Sequence, residues 1–399
     1  MVDGGAVAIT GLGLVLPHGV GLGAAEAVFE GRSAIRYLPP LAGLPEATGA
    51  AVSGFASPPG VESCDRAVQF AVTAADEAWA RSGLAAGGFA ADRVATVLSL
   101  SKGCMFSLAD SADPRDDGWP AAFQATADVA ARTVAARLGL TGPLGAPVTA
   151  CASGGHALAW GATLIRRGVA DAALVGAAEA SLHPMILGSY RRLGVLAAPQ
   201  GGPATSVRPF SATRRGFAIG EGAGVLVLES EASVRRRGVR PLAWVRGWAR
   251  GCQTSGLMDM EPGGETLARL MGQAMDRAGV VPAAIDFVHA HGTGTRANDA
   301  AEALAIRSAL GPAAEGVSVS STKGAHGHLL GAAAAVELVL VVLAMERGLV
   351  PPTANLTDPD PQIRLDCTPL APRRRDIRHA LKITCGFGGQ AMVAVLARP

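Results

Sequence analysis

Short β-rich runs alternate with helical runs along the whole chain, and few folds accommodate that order. Residues 93–101 (RVATVLSLS), 171–180 (DAALVGAAEA) and 222–231 (GAGVLVLESE) read as strands, and 285–295 and 316–324 as strand and loop. Between and after them, 121–140, 264–279, 299–310 and 329–347 carry apolar residues at helical spacing. Alternation of this kind predicts α/β layers whose central strands are largely parallel. The pattern restarts near residue 240, so two halves of similar build are expected, 1–240 and 241–399, although no close repeat links them.

Composition narrows the core. Hydrophobic residues make up 49% of the 399 positions and charged ones 17%, which excludes disorder. Aromatics are only 4% while glycine reaches 52, so the core must be built from Ala, Val and Leu at close backbone approach. A formal net charge of +2 gives no polyelectrolyte signal, and no nucleic-acid partner is expected. The most apolar window, 329–345, carries Glu337 and is too short to span a bilayer; a buried helix and no membrane partner are expected. Six cysteines (64, 104, 151, 252, 367 and 385) show no CxxC spacing, which predicts reduced thiols in the cytoplasm. The acidic stretch 107–120 (SLADSADPRDDGWP) is expected to be a solvated turn with helix-capping aspartates.

Four segments carry residues suited to chemistry. In 147–156 (PVTACASGGH), Pro147–Thr149 are expected to end a strand and a helix follows, which puts Cys151 at the turn. A thiol at a helix N-terminus feels the positive end of the macrodipole, and a lowered pKa is expected there. The second segment is 289–302 (HAHGTGTRANDAAE), where a strand ends at His291. The third is 320–337 (SSTKGAHGHLLGAAAAVE), with Lys323 in a turn and a helix starting near His328. The last is 385–390 (CGFGGQ), whose glycines permit positive φ and close backbone approach. Taken singly, each has a plain reading: a structural cysteine, a hydrogen-bonded histidine, a solvated lysine, a turn. In an alternating α/β fold all four are expected to fall beyond the carboxyl ends of strands, where they could converge on one site.

This ordered combination resembles the β-ketoacyl synthase family of the thiolase-like superfamily over nearly the whole chain. TACASG is similar to its nucleophile motif, HGTGT to its first histidine motif, and STKGAHGHLLGAAAAVE to its lysine and second histidine motif. RPFSATRRGFAIGEGAGVLVLE (208–229) is similar to its central segment. The resemblance implies a five-layered αβαβα fold of two related halves, the first carrying the cysteine and the second both histidines. It implies Cys151 as nucleophile for an acyl chain, and His291 and His328 as donors to the thioester oxygen of a malonyl group losing CO₂. The N–H groups of Cys151 and Phe387 would form a second oxyanion hole, with Phe387 as gate between Gly386 and Gly388. Lys323 would orient the site near Glu302 or Glu337. The implied partners are an acyl carrier protein, whose phosphopantetheine arm bears the substrates, and a second subunit, either identical or a chain-length factor. No metal, nicotinamide or flavin is implied. By the resemblance the second histidine implies an elongating 3-oxoacyl synthase, and a type II polyketide or polyene pathway is the expected setting.

Several positions depart from the family pattern. His289 and His326 precede the two expected catalytic histidines by two residues, a spacing that mimics a metal site and leaves a metal-dependent hydrolase open. Ile383-Thr384-Cys385 stands where Asn-Ser-Phe is usual, and Ser211 and Arg215 replace aspartates. Two other readings keep the fold: an acyltransferase that passes the chain to an alcohol or amine, and a non-catalytic dimer partner. Basic clusters at Arg214–Arg215, Arg235–Arg237 and Arg373–Arg375 are expected to attract an acidic carrier protein.

Overall fold

The computed structural model describes residues 5–39, 44, 46–86, 89–104, 107, 125–199, 201–256 and 260–399. Apart from Ser107, the acidic stretch expected to be a solvated turn lies outside them, as do residues 121–124 of the run expected to be helical. Among the described residues eleven strands build the main sheet, ten in one continuous path and the short Gly19–Val20 paired beside the first: β1 (Val7–Leu16), β2 (Val94–Leu100), β3 (Leu144–Gly145), β4 (Ala172–Glu179) and β5 (Gly222–Ser230) belong to the first half. The second half supplies β6 (Ala243–Cys252), β7 (Phe287–His289), β8 (Ser318–Ser320), β9 (His379–Cys385) and β10 (Gln390–Ala397).

The two halves share one topology. The strand order is β3-β2-β4-β5-β1 in the first and β8-β7-β9-β10-β6 in the second, the same sequence of positions counted from each half's first strand. β2 pairs parallel with β3 and β4, while β5 pairs antiparallel with β4 and β1. The second half repeats this: β7 is parallel to β8 and β9, and β10 antiparallel to β9 and β6. β1 and β6 then join edge to edge, antiparallel, through Val7–Val245, Ala8–Trp244 and Ile9–Ala243. The expectation of largely parallel strands is therefore corrected to a mixed sheet. β9 and β10 are separated only by Gly386–Gly389, too short for a crossover, so they must run antiparallel.

Helices complete five layers. α1 (Arg66–Ser82) and α2 (Val129–Leu138) cover the outer face of the first sheet, and α4 (Glu265–Ala278) with α5 (Arg296–Leu310) that of the second. Between the sheets lie α3 (Ser153–Arg166) and α6 (Ala333–Arg347). Strand alternation feeds these layers: on β10, Met392, Ala394 and Leu396 join the middle core while Ala391, Val393 and Val395 join the outer one. α6 meets both sheets, so every residue from Ala333 to Met345 is buried, and its sequence is apolar all round except for Glu337. Among the described residues no helix is long and apolar enough to cross a membrane.

Two local expectations are corrected. The segment 147–149 is not part of a strand; β3 stops at Gly145, and Pro147 has no N–H to offer a ladder. The helix expected near His328 is two pieces, a single turn at Lys323–His326 and then α6 from Ala333.

Glycine sets the spacing between strand and helix. A Cβ on Gly13 of β1 would fall 1.8 Å from the Ala74 carbonyl oxygen of α1, and one on Gly247 of β6 would fall 2.4 Å from that of Ala274 in α4. Neither backbone can yield without moving a helix. Gly13→Ala is expected to destabilise the fold by about 1–3 kcal/mol, read as a fall in the denaturation midpoint; an unchanged midpoint contradicts this packing.

Candidate active site

Cys151 sits in a tight turn, Ala150–Ala152, that leads directly into α3. Ala150 adopts φ 48°, and the Ser153 hydroxyl braces the turn by donating to the Ala150 carbonyl at 2.7 Å and accepting from the Thr149 N–H at 3.0 Å. The Gly386 turn presses against it: a Cβ there would lie 2.9 Å from the Thr149 oxygen and 3.1 Å from the Cys151 nitrogen. Gly388, at φ 79°, needs glycine for a different reason, the left-handed conformation that carries the chain past Phe387. The Phe387 N–H is thereby aimed at the Cys151 sulfur.

His291 and His328 reach the same place from the second half. Their rings meet edge to face with centroids 5.4 Å apart. His328 Nδ1 accepts from the Leu330 N–H at 3.2 Å, so in the neutral ring Nε2 carries the proton. Phe217 supports the ring edge-on at 4.9 Å. The main chain of His291 is gripped by Glu302, which accepts from its N–H at 2.6 Å and from that of Gly292 at 2.8 Å. The His291 carbonyl accepts from Lys323, whose ammonium also pairs with Glu337 at 2.5 Å. Of the two carboxylates expected near Lys323, Glu337 is the partner, while Glu302 serves the histidine loop.

Cys151, His291, His328, Gly386 and Phe387 line one cleft together with Cys385, Asn298 and Phe217. Lys323, Glu302 and Glu337 stand behind it, fully buried. Tyr190 stacks on Phe387 with centroids 6.1 Å apart.

Burial governs the electrostatics. It pushes the Cys151 thiol up to about 11, and the opposing pulls of Lys102, Lys323 and the Phe387 N–H do not reverse it. The lowered thiol pKa expected from the helix terminus is thus corrected, because the turn is closed over by both halves. Burial, and next the Lys323 charge, holds His291 and His328 well below the ordinary histidine value, so both rings are neutral donors. Glu302 is raised to about 7 by burial, against the two N–H groups it accepts. Burial would raise Glu337 as well, but Lys323 and Lys382 hold it well below the usual carboxylate range.

The paired histidines do not assemble into a four-imidazole cluster. His289 and His326 turn away from the cleft onto the Thr322 hydroxyl, with Nε2 at 3.1 and 2.8 Å, and their Nδ1 atoms face the carbonyls of Ala290 and Gly327. Among the described residues no group of three or more metal-binding side chains converges.

Sequence reasoning missed Lys382, Glu179 and Lys102. Lys382 pairs with Glu337 at 2.8 Å, and Glu179 accepts from Ser101 at 2.5 Å and from the Gly331 N–H at 2.9 Å while pairing with Lys102 at 3.1 Å. For Glu179 and Lys382 a charged residue in an otherwise apolar strand, AALVGAAE and HALKITC, was the available signal; Lys102, just past the end of β2, offered none. The arginine clusters are partly spent internally: Arg214 is buried against Asp360 at 2.6 Å, Arg237 holds Glu229 at 2.5 Å, and Arg373 pairs with Asp366.

Residues 5–233 match the family described as Beta-ketoacyl synthase, N-terminal domain, and 242–357 the corresponding C-terminal domain. The chain belongs to the β-ketoacyl synthase family. It is 34% identical over 413 residues to the tetracenomycin polyketide synthase ketoacyl synthase alpha subunit of Streptomyces glaucescens, covering 98% of this chain and 97% of that one. A solved type II polyketide ketosynthase, in complex with its acyl-carrier protein and bound to the hexaketide, superposes with TM-score 0.92 at 30% identity over 99% of each chain. The ishigamide ketosynthase/chain length factor gives 0.90 at 31% over the same shares. The thiolase-like αβαβα fold expected for a β-ketoacyl synthase is the one observed.

With its thiol raised to about 11, Cys151 is protonated at neutral pH. Its alkylation by iodoacetamide, followed by peptide mapping, is expected to climb about tenfold per pH unit from about pH 7 to 10. A rate that levels off below about pH 8 contradicts the burial argument.

Proposed function

We propose that this chain is the condensing subunit of a type II system, in which Cys151 holds an acyl group and the two histidines drive attack by a malonyl-derived carbon. What carries this reading is that one buried cleft is lined by a thiol and two neutral imidazoles, with His328 Nε2–H left as a donor. Substrates would arrive as thioesters on the phosphopantetheine arm of an acyl carrier protein.

In the first half-reaction the Cys151 sulfur attacks the acyl thioester, and the departing phosphopantetheine thiol takes up the proton that Cys151 loses. In the second, malonyl thioester replaces it. The bond between carboxylate and α-carbon breaks, CO₂ leaves, and its electron pair stays on the enolate, whose oxygen is stabilised by His291 and His328. The carbanion attacks the acyl carbonyl. The N–H groups of Cys151 and Phe387 hold the tetrahedral oxyanion, and its collapse expels the Cys151 thiolate, which is then protonated. Lys323 acts on His291 through its carbonyl, while Glu302 holds the same loop. Phe387, hinged between Gly386 and Gly388, would gate the acyl pocket. No step of this scheme calls for a metal, nicotinamide or flavin.

We also read the chain as two halves, 1–240 bearing Cys151 and 241–399 bearing the histidines, working in the cytoplasm, where its six unpaired cysteines stay reduced. A partner subunit, identical or of the chain-length-factor kind, suits the free edge of β3. That strand ends the sheet, and Leu144, Val148 and Trp160 around it are 41%, 53% and 38% exposed. Val148→Arg is expected to split the dimer on size-exclusion chromatography, and an unchanged elution volume contradicts this assignment.

The test of the chemistry is intact-protein mass with octanoyl-loaded carrier protein, together with CO₂ release from malonyl-loaded carrier protein. An acyl-sized increase that vanishes in Cys151→Ala is expected. CO₂ release is expected to fall by about 10²–10³ in His328→Ala. Acylation of the parent with transfer to an alcohol or amine and no CO₂ would point to the acyltransferase alternative, and no acylation at all to the non-catalytic partner.

A further inference from the structure

His291 and His328 are aimed by different means. The His328 ring is fixed directly, Nδ1 on the Leu330 N–H at 3.2 Å. The Nδ1 of His291 is buried and has no partner, so the direction of that ring depends on its main chain. Glu302 holds the N–H side of that main chain at 2.6 Å, and Lys323 holds the carbonyl side.

Lys323 is itself held by Glu337, and here a second cation enters. Lys382 lies on β9 directly across the parallel ladder from His289 of β7. It is 1% exposed, sits 2.8 Å from Glu337 Oε2, and donates to the Ile383 carbonyl. The other oxygen, Oε1, pairs with Lys323 at 2.5 Å. One carboxylate thus serves two buried ammonium groups.

For stability alone this is a poor arrangement. Lys323 and Glu337 would already form a neutral pair, and a buried second cation adds desolvation cost that an apolar side chain of the same length would avoid. What the second lysine supplies is geometry. The Lys382 charge beside Oε2, an ion pair without a hydrogen bond, opposes rotation of the carboxylate away from Lys323, which is left forked between Glu337 and the His291 carbonyl.

We propose that Lys382 is a positioning residue for His291, acting through Glu337 and Lys323, and serving the decarboxylating half-reaction alone. No hydrogen bond in this chain of contacts reaches the Cys151 turn, which feels only the Lys323 charge against the larger effect of burial, so acyl transfer to the thiol is expected to depend on it little. The inference rests on the condensing reading given above.

The experiment compares Lys382→Met with the parent full-length protein in two assays: S-acylation of Cys151 by octanoyl-loaded carrier protein, and CO₂ release from malonyl-loaded carrier protein. The expected result is acylation within about twofold of the parent, with kcat for CO₂ release lowered roughly tenfold or more and KM unchanged, the signature of a misaimed donor. Should the Met variant not fold, Lys382→Gln, which keeps a polar group beside Glu337 without the charge, is read in the same assays with the same split expected. Unchanged CO₂ release, or equal loss of both activities in whichever variant folds, overturns the proposal. A parent that is acylated but releases no CO₂ contradicts the condensing reading and this inference with it. A parent that releases CO₂ beside an equally active variant contradicts this inference alone.

Discussion

Glu337 is a carboxylate in the middle of a helix that water does not reach, and much of the site hangs from it. α6 is enclosed by both sheets, so this charge must be answered by protein groups. Lys323, from the turn before α6, takes one oxygen, and Lys382, from β9, takes the other. Leaving one partner of such a buried pair uncompensated costs about 3–5 kcal/mol, so turn, strand and helix are locked to one another. The His291 loop joins the same lock through its carbonyl. The groups that hold the fold's centre together are therefore continuous with those that set the site.

The doubled topology explains why chemistry appears on one side of the molecule. Each half places a strained turn before its central helix, with φ 48° at Ala150 and 45° at Leu330. The residue that follows is Cys151 in one turn and Gly331 in the other. The Gly331 N–H is spent on Glu179, a carboxylate that ends β4. At the corresponding strand end in the second half stands Cys385, and the glycine turn after it leaves open space in front of the thiol. One frame thus yields a filled, structural turn and an open, reactive one.

Much of the site was legible because its chemistry demands particular residues at strand ends. Cys151, His291, His328, Lys323 and Phe387 each stood at a change from β-rich to helical or glycine-rich sequence, and the fold gathers them. What was not legible depends on residues remote in sequence. The sign of the Cys151 shift is set by burial from both halves, which local helix-terminus reasoning does not see. The role of His289 and His326 turned on Thr322 lying between them, a matter of ring direction. Lys382 showed only as a charge in an apolar run, and its role was hidden because a lysine in a strand normally reaches solvent and only the position of α6 over β9 buries it. Strand direction was misjudged for a simpler reason: alternating elements suggest crossovers, whereas the four-residue turn after Cys385 enforces a hairpin.

The central claim is that one cleft couples loss of CO₂ to loss of the acyl group from Cys151. A single-turnover measurement tests this most directly: Cys151 is loaded with one acyl group, freed of excess substrate, and mixed with malonyl-loaded carrier protein. The account predicts equal amounts of CO₂ released, acyl group lost from Cys151 and 3-oxoacyl chain appearing on the carrier protein. CO₂ release that leaves the acyl-enzyme intact, or acyl loss without CO₂, would contradict it.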